Sequence, residues 1–184
     1  SINEVVIHGI PSSKQILKDG DIISIDIGAN YKGYHGDCAR TWPCGNVKSD
    51  RLKLIEVTEQ SFFEGLKYAH PGNRLSDISH AIEMYAKKFN YGVVRDFTGH
   101  GVGSKLHEDP AVPNYGKEGM GPVLRKGMTL AIEPMINMGT YKVKILADGW
   151  TTITSDHSPS AHYENSIVIT DNGYEILTKI KEND

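Results

Sequence analysis

The chain has 184 residues, 39% of them hydrophobic and 23% charged, with a formal net charge of −3. That length suits one domain with a sizeable core, and the weak negative charge leaves no basic footprint for nucleic acid and no polybasic patch for a membrane. No apolar run is long enough to span a bilayer and no signal-peptide pattern is read. The two cysteines, Cys38 and Cys44, match neither a zinc knuckle nor a redox Cys-x-x-Cys, so they are expected as reduced thiols in a cytoplasmic protein.

Ser1 leads straight into Ile-Asn-Glu-Val-Val-Ile-His, which already reads as structure; the chain is expected to start within a longer protein. Residues 4–8 predict a short strand that turns at His8-Gly9-Ile10-Pro11. A lone histidine at a strand end is more often structural than functional. Next comes the first arm of a hairpin, residues 17–29, an Ile-rich apolar run with acids in it that is predicted as a largely buried strand. Asn30-Tyr31-Lys32-Gly33 supplies turn residues, and Tyr34 to Arg40 returns. With Tyr31 and Lys32 at the tip, Asp26 falls opposite Asp37, where paired Cβ atoms stand roughly 5 Å apart. Two carboxylates so placed repel each other, and a cation between them would relieve the repulsion.

Ser49 is read as the N-cap of a helix over 50–69, with Leu52, Ile55, Phe62, Leu66 and Ala69 on one stripe. Ser76 is read as the cap of a second helix burying Ile78, Ile82, Tyr85 and Phe89. Both stripes predict core packing. A strand over 93–97 then runs into Thr98-Gly99-His100-Gly101-Val102-Gly103. Without a Walker lysine and serine these glycines make a weak nucleotide signal; they suit close backbone approach and an unshielded imidazole. Of His107, Glu108 and Asp109, one is expected to face inward.

Leu124 to Glu133 aligns without gaps on Leu17 to Asp26: leucine, a basic residue, glycine, then aliphatic-acid, in step. Ala161-His162-Tyr163-Glu164 likewise resembles Gly33-Tyr34-His35-Gly36-Asp37 in placing an acid just after His and Tyr, with a longer insertion between the two acids of the second half. A diverged internal duplication is the economical explanation, too long in period for a solenoid. Its pseudo-twofold arrangement would gather Asp26, Asp37, Glu133 and Glu164 at one centre. Residues 141–146 and 150–154 predict a further hairpin, 162–170 the strand of the fourth acid, and 174–178 the last strand. His157 and His162 are expected in surface or packing roles.

Four carboxylates and one histidine form a hard, oxygen-rich donor set. Two divalent cations cancel its charge, whereas one leaves a costly buried excess. Mn²⁺, Fe²⁺ or Co²⁺ suit these donors, with Zn²⁺ left open. A metal pair roughly 3.5–4 Å apart implies metal-assisted hydrolysis.

These residues resemble a known family. Asp26, Asp37, His100 in Gly-His-Gly-Val-Gly, Glu133 in Ile-Glu-Pro-Met and Glu164 in His-Tyr-Glu-Asn are similar to the ligand set of type I methionine aminopeptidases. His8-Gly9-Ile10-Pro11, His107-Glu108-Asp109-Pro110 and Asp148-Gly149-Trp150 extend the likeness over essentially the whole chain. The resemblance implies one α+β catalytic unit over 1–184 with the pita-bread fold: two related halves, a curved antiparallel sheet, helices outside.

By the same resemblance Asp37, His100 and Glu133 would hold one metal and Asp26 the other, with Glu164 shared and Asp37 bridging. Glu133 would shuttle a proton from the water to the leaving amine. His107 would donate to the scissile carbonyl, His8 would face the scissile nitrogen, and Trp150 would line the methionine pocket. The substrates implied are N-terminal methionine peptides and nascent polypeptides, with ribosome association following from that role, and the protein would be a monomer. Leu106 stands where many bacterial relatives carry an aromatic pocket residue, and the family's N-terminal helical segment, which lines part of that pocket, is expected to lie ahead of Ser1 or to be missing. The rivals are an x-Pro peptidase of the same fold and a truncated or non-catalytic metal-binding homologue; the latter typically loses ligands, and all five are present.

Overall fold

The computed structural model describes residues 1–179; the last five residues of the expected 1–184 unit lie outside that range. In chain order the elements are β1 (Val5–Ile7), β2 (Ile22–Tyr31), β3 (Tyr34–Pro43), α1 (Ser49–Leu66), α2 (Leu75–Lys87), β4 (Gly92–Val93) and β5 (Gly99–Gly101). They continue with β6 (Glu108–Val112), β7 (Thr129–Ile132), β8 (Met135–Asn137), β9 (Val143–Ile145), β10 (Thr152–Thr154), β11 (Ser160–His162), β12 (Asn165–Thr170) and β13 (Gly173–Ile176). All strand pairs described are antiparallel, and they form four hydrogen-bonded groups: β1-β10-β9, β11-β8-β4, β13-β12-β7-β5-β6 and the β2-β3 ribbon. The expected α+β architecture is present, with its strands in four hydrogen-bonded sheets rather than one unbroken sheet.

The repeat read in the sequence has a structural counterpart. Gly20 and Gly127, aligned in the two copies, both take a positive φ, 91° and 87°, that only glycine adopts freely. Each closes an equivalent turn, Asp21 N–H to Lys18 O and Met128 N–H to Arg125 O, both 3.1 Å. The strands β2 and β7 then begin at aligned positions, Ile22 and Thr129.

The helices cross closely, since a Cβ on Gly65 would stand 2.8 Å from Ile82 Cγ1. Phe62 and Leu66 of α1 join Ile78 and Ile82 of α2 against Leu130, Ile132 and Ile167 of the five-stranded sheet. Ile22, Leu54, Ala86, Val93, Ile136 and Ala161 make a second cluster under the first half. Leu52, expected on the buried stripe, is exposed, and the buried face runs instead through Leu54, Val57 and Thr58. Neither serine caps: Lys48 precedes α1 without a side-chain cap, and Arg74 precedes α2, where the Asp77 carboxylate accepts from the Arg74 N–H. The strand expected over 93–97 is only β4, and that over 162–170 is broken at Tyr163 and Glu164 into β11 and β12.

The first hairpin corrects two expectations. Its tip is Lys32-Gly33, φ 51° and 86°, a two-residue turn with both centres left-handed, so Tyr31 pairs with Tyr34. Asp26 therefore faces Ala39, and Asp37 faces Gly28. A tip moved by one residue shifts the pairing by two, which preserves the face; Asp26 and Asp37 become diagonal rather than direct neighbours, roughly 7–8 Å apart at that position. Beyond Ser24 the β2 strand is also exposed, Ile27 by 58%, because the ribbon's outer half extends beyond the core clusters.

Candidate metal centre and active site

The two halves meet along a seam built from hydroxyl groups. Thr41 Oγ1 in β3 accepts from the His162 N–H (2.8 Å) and donates to the His162 carbonyl (2.9 Å). Further along, Ser166 Oγ in β12 accepts from the Asp37 N–H (2.9 Å) and donates to the Asp37 carbonyl (3.0 Å). Between them the Glu164 N–H bonds the Ala39 carbonyl at 2.9 Å. These contacts stitch β3 to the break between β11 and β12, and so bring Asp37 beside Glu164.

His100 arrives from β5. Its flanking glycines are packed hard: a Cβ on Gly99 would stand 2.3 Å from Ala131 O, and one on Gly101 2.3 Å from Asp109 O. Close approach, expected from the sequence, is thus what these glycines provide, whereas the imidazole itself is buried rather than unshielded. With the Gly101 carbonyl 2.9 Å from Nδ1, the tautomer that donates there leaves Nε2 unprotonated and facing the acids. Nε2 lies 3.8 Å from Asp37 Oδ2 and 3.5 Å from Glu133 Oε1.

Asp37, His100 and Glu164 each present a ligand atom within 4.8 Å of the others, all three buried. Burial together with the Asp26 and Glu133 charges pushes the Asp37 carboxyl up to about 6, against the pull of His100. Glu164 is only 1% exposed and its Oε1 has no hydrogen-bond partner; burial first, then the charges of Glu133 and Asp37, hold its carboxyl well above the ordinary range. A buried carboxylate oxygen without a donor is costly, and here several acids share one centre. Divalent cations satisfy the donors and offset the repulsion, so the residues present fit a metal.

Asp26 stands apart from this trio. It is exposed at the rim, in a cleft of about 320 Å³ that it shares with Ser1, His8, Pro11 and Ser24. His8 takes a positive φ of 59°, uncommon outside glycine, and stacks on Trp150 with ring centroids 4.6 Å apart, while Phe97 meets its edge at 5.8 Å. His107 lies against His100, centroids 4.3 Å apart; of its neighbours, Glu108 is tied back to Ser104 and Lys105. Leu106 covers Gly28, its Cδ1 3.3 Å from where a Cβ would stand, with Asp37 Oδ1 alongside.

Every candidate from the sequence thus falls on one face: Asp37, His100, Glu133 and Glu164 at the centre, Asp26, His8, His107, Leu106 and Trp150 around it. His162, expected in a surface or packing role, is buried and also stands beside the site, its Nε2 3.5 Å from Glu133 Oε2. Asn114 was also missed; it is fully buried and its Nδ2 holds the Glu133 carbonyl at 3.0 Å.

Comparison with known proteins decides the lineage. The family model described as metallopeptidase family M24 matches residues 1–171. The chain belongs to metallopeptidase family M24. A methionine aminopeptidase from Clostridium acetobutylicum is 58% identical over 178 residues, covering 97% of this chain and 71% of that relative. The crystal structure of a Thermotoga maritima methionine aminopeptidase superposes with a TM-score of 0.96 at 49% identity, covering 98% of this chain and 72% of that one. A prolidase from Pyrococcus furiosus shares the M24 fold more distantly, with a TM-score of 0.72 at 26% identity over 93% of this chain and 45% of that one. The architecture is therefore the pita-bread fold of the M24 enzymes. No helix among the described residues is long and apolar enough to cross a membrane.

Proposed function

We propose that this M24 chain is a metal-dependent methionine aminopeptidase whose centre holds two divalent cations on Asp26, Asp37, His100, Glu133 and Glu164. The observation that carries this reading is the buried Asp37-His100-Glu164 cluster with Glu133 at 3.5 Å from His100. Mn²⁺, Fe²⁺ and Co²⁺ suit its hard donors. Its substrates are N-terminal methionine peptides, including newly made chains. When bound, the ions lower the pKa of water and stabilise charge developing on the scissile carbonyl oxygen.

The remaining work falls to side chains. Glu133 takes the proton from the attacking water on its carboxylate and passes it to the leaving amine nitrogen as the C–N bond breaks and the new C–O bond forms. His107, held against His100, donates to the carbonyl oxygen as charge grows there. His8 faces the scissile nitrogen, with its ring orientation fixed by the Trp150 stack. Trp150, 57% exposed, and Leu106 form walls for the methionine side chain, whose sulfur favours an aromatic edge.

The test is release of free methionine from a Met-Ala-Ser peptide by protein stripped with chelator and reloaded with Mn²⁺. Release that stops again on chelation is expected. No release from a sample with confirmed metal binding overturns the methionine assignment, and cleavage of an x-Pro peptide by that sample would assign the prolidase-like chemistry instead.

A further inference from the structure

We infer that His162 is a positioning residue that fixes the carboxylate of Glu133, presenting Oε1 to the centre by engaging Oε2 from behind. This rests on the role of Glu133 given above.

His162 ends β11, where it pairs with Met135 of β8. Its backbone is gripped on both sides by Thr41 Oγ1, and that hydroxyl is itself 2.8 Å from Ser24 Oγ. The backbone is therefore held from the first half of the molecule, and burial leaves the ring little room to turn. Its side chain is 1% exposed, and Nε2 makes no hydrogen bond among the described residues. The charged atom facing it is Glu133 Oε2 at 3.5 Å, a few tenths of an ångström beyond an ordinary hydrogen bond. An imidazole costs more to bury than an apolar side chain of similar size unless a polar partner repays it. With its neighbours Ala161 and Tyr163 buried as well, an apolar residue would fill the place at lower cost.

Glu133 needs such a partner. It follows the end of β7, and Pro134 behind it has no N–H to extend the ladder. Its carbonyl is held by Asn114, which fixes the backbone but leaves the side-chain torsions free. Oε1 lies 3.5 Å from His100 Nε2, which has no proton to donate in the tautomer given above, so without a contact on the other oxygen the group can rotate away from the centre. His162 supplies that second contact. The role requires a donor at the Nε2 position and no change of charge.

Three variants of the full chain test this: His162→Gln, whose amide nitrogen reaches about as far as Nε2; His162→Asn, which is one methylene shorter; and His162→Leu, which has no donor. With Mn²⁺ loaded and Met-Ala-Ser as substrate, Leu and Asn are expected to lose roughly 10–100-fold in kcat with KM nearly unchanged, the range seen for groups that orient metal-site residues. Gln is expected to restore kcat to within a few-fold of the parent. Parent-like kcat in Leu overturns the inference, and so does Gln falling as far as Leu, because ring bulk would then be what matters. If Leu does not fold, by thermal midpoint, the Asn and Gln pair decides by the same criteria. The visible spectrum of Co²⁺-loaded protein separates this from the functional reading. Should the parent release no methionine, a spectrum altered in Leu or Asn but not in Gln still supports the positioning role, and one spectrum shared by the parent and all variants overturns it.

Discussion

The β2-β3 ribbon and the β7-β12 pair are two versions of one design, entered through the same glycine turn, yet they place their acids in different surroundings. Apart from a bridge of Ile2 to Ile23 at its base, the ribbon pairs with itself and carries Asp26 into solvent, whereas β7 runs through the middle of a five-stranded sheet with Leu130, Ala131 and Ile132 fully buried. Glu133 and Glu164 follow and precede strands walled on both sides, and the Glu164 carboxyl is pushed far up, while Asp37 reaches the interior only because Ser166 draws the return strand against the second half. A repeated sequence thus does not repeat an electrostatic environment. Neighbouring strands decide it.

The comparison is tested hardest at its aligned acids. Glu133→Gln should lower methionine release by about 10²–10⁴-fold, the usual worth of a general acid-base group, with the protein still folded and still binding metal at the Asp37-His100-Glu164 cluster. Asp26→Asn should instead lower the metal stoichiometry measured by calorimetry. Indistinguishable kinetic and stoichiometric effects for the two variants would break the claimed division of labour.

Metal-free stability should separate the halves next. With chelator at neutral pH, Glu164→Gln relieves a buried carboxylate and should raise the thermal midpoint, by roughly 2–4 °C for each kcal/mol relieved in a chain of this size. Asp26→Asn, at the exposed rim, should leave it within about one such step. A larger rise for Asp26→Asn would reverse the assignment of buried and exposed acids.

The pH dependence has a definite sign. Asp37 titrates near 3.8 when unfolded and about 6 in the folded, metal-free protein, so the folded state binds the extra proton between those values. Its contribution to stability is complete below pH 3.8 and is lost as pH rises through 6. Across that window the chelated parent should therefore lose midpoint relative to Asp37→Asn, and saturating Mn²⁺ should reverse the trend, because only the parent keeps the Asp37 carboxylate as a ligand. A chelated parent that gains on the variant as pH rises would contradict the shift.

Smaller effects should map the seam and the rim. Ser166→Ala leaves the buried Asp37 N–H without an acceptor and should cost about 1–3 kcal/mol in chemical denaturation, with metal affinity weakened alongside. Gly28→Ala meets Leu106 at 3.3 Å, a contact that yields by a shift of a flexible side chain. Its stability cost should stay under about 1 kcal/mol, so any change in discrimination between N-terminal methionine and leucine would report the position of Leu106.

Much of this was legible in the residues themselves. The recurring glycine and aliphatic-acid steps announced both strands, and the flanking glycines marked His100 as a place of close backbone contact. The Asp26-Asp37 register was not legible, because it hinges on which two residues adopt left-handed torsions, and Gly33 takes the second of those places. The helix caps misled because Ser49 and Ser76 are the first and second residues of their helices rather than the caps, and the Asp77 carboxylate rather than a hydroxyl closes the second. His162 carried no local signal of its own. Its one clue was positional: a histidine stands two residues before the acid in both copies, His35 before Asp37 and His162 before Glu164.

The hydroxyl seam also sets when the centre comes into being. The Ser166-Asp37 hydrogen bonds join positions 129 residues apart, and the Thr41-His162 bonds positions 121 apart. Contacts of such range close late, after local helices and hairpins, because the chain entropy of a long loop must be overcome first. Before those contacts form, Asp26 and Asp37 belong to a two-stranded ribbon that is at best marginally stable by itself. The catalytic centre is complete only once β12 has emerged and docked, so metal loading marks the end of folding rather than guiding its start.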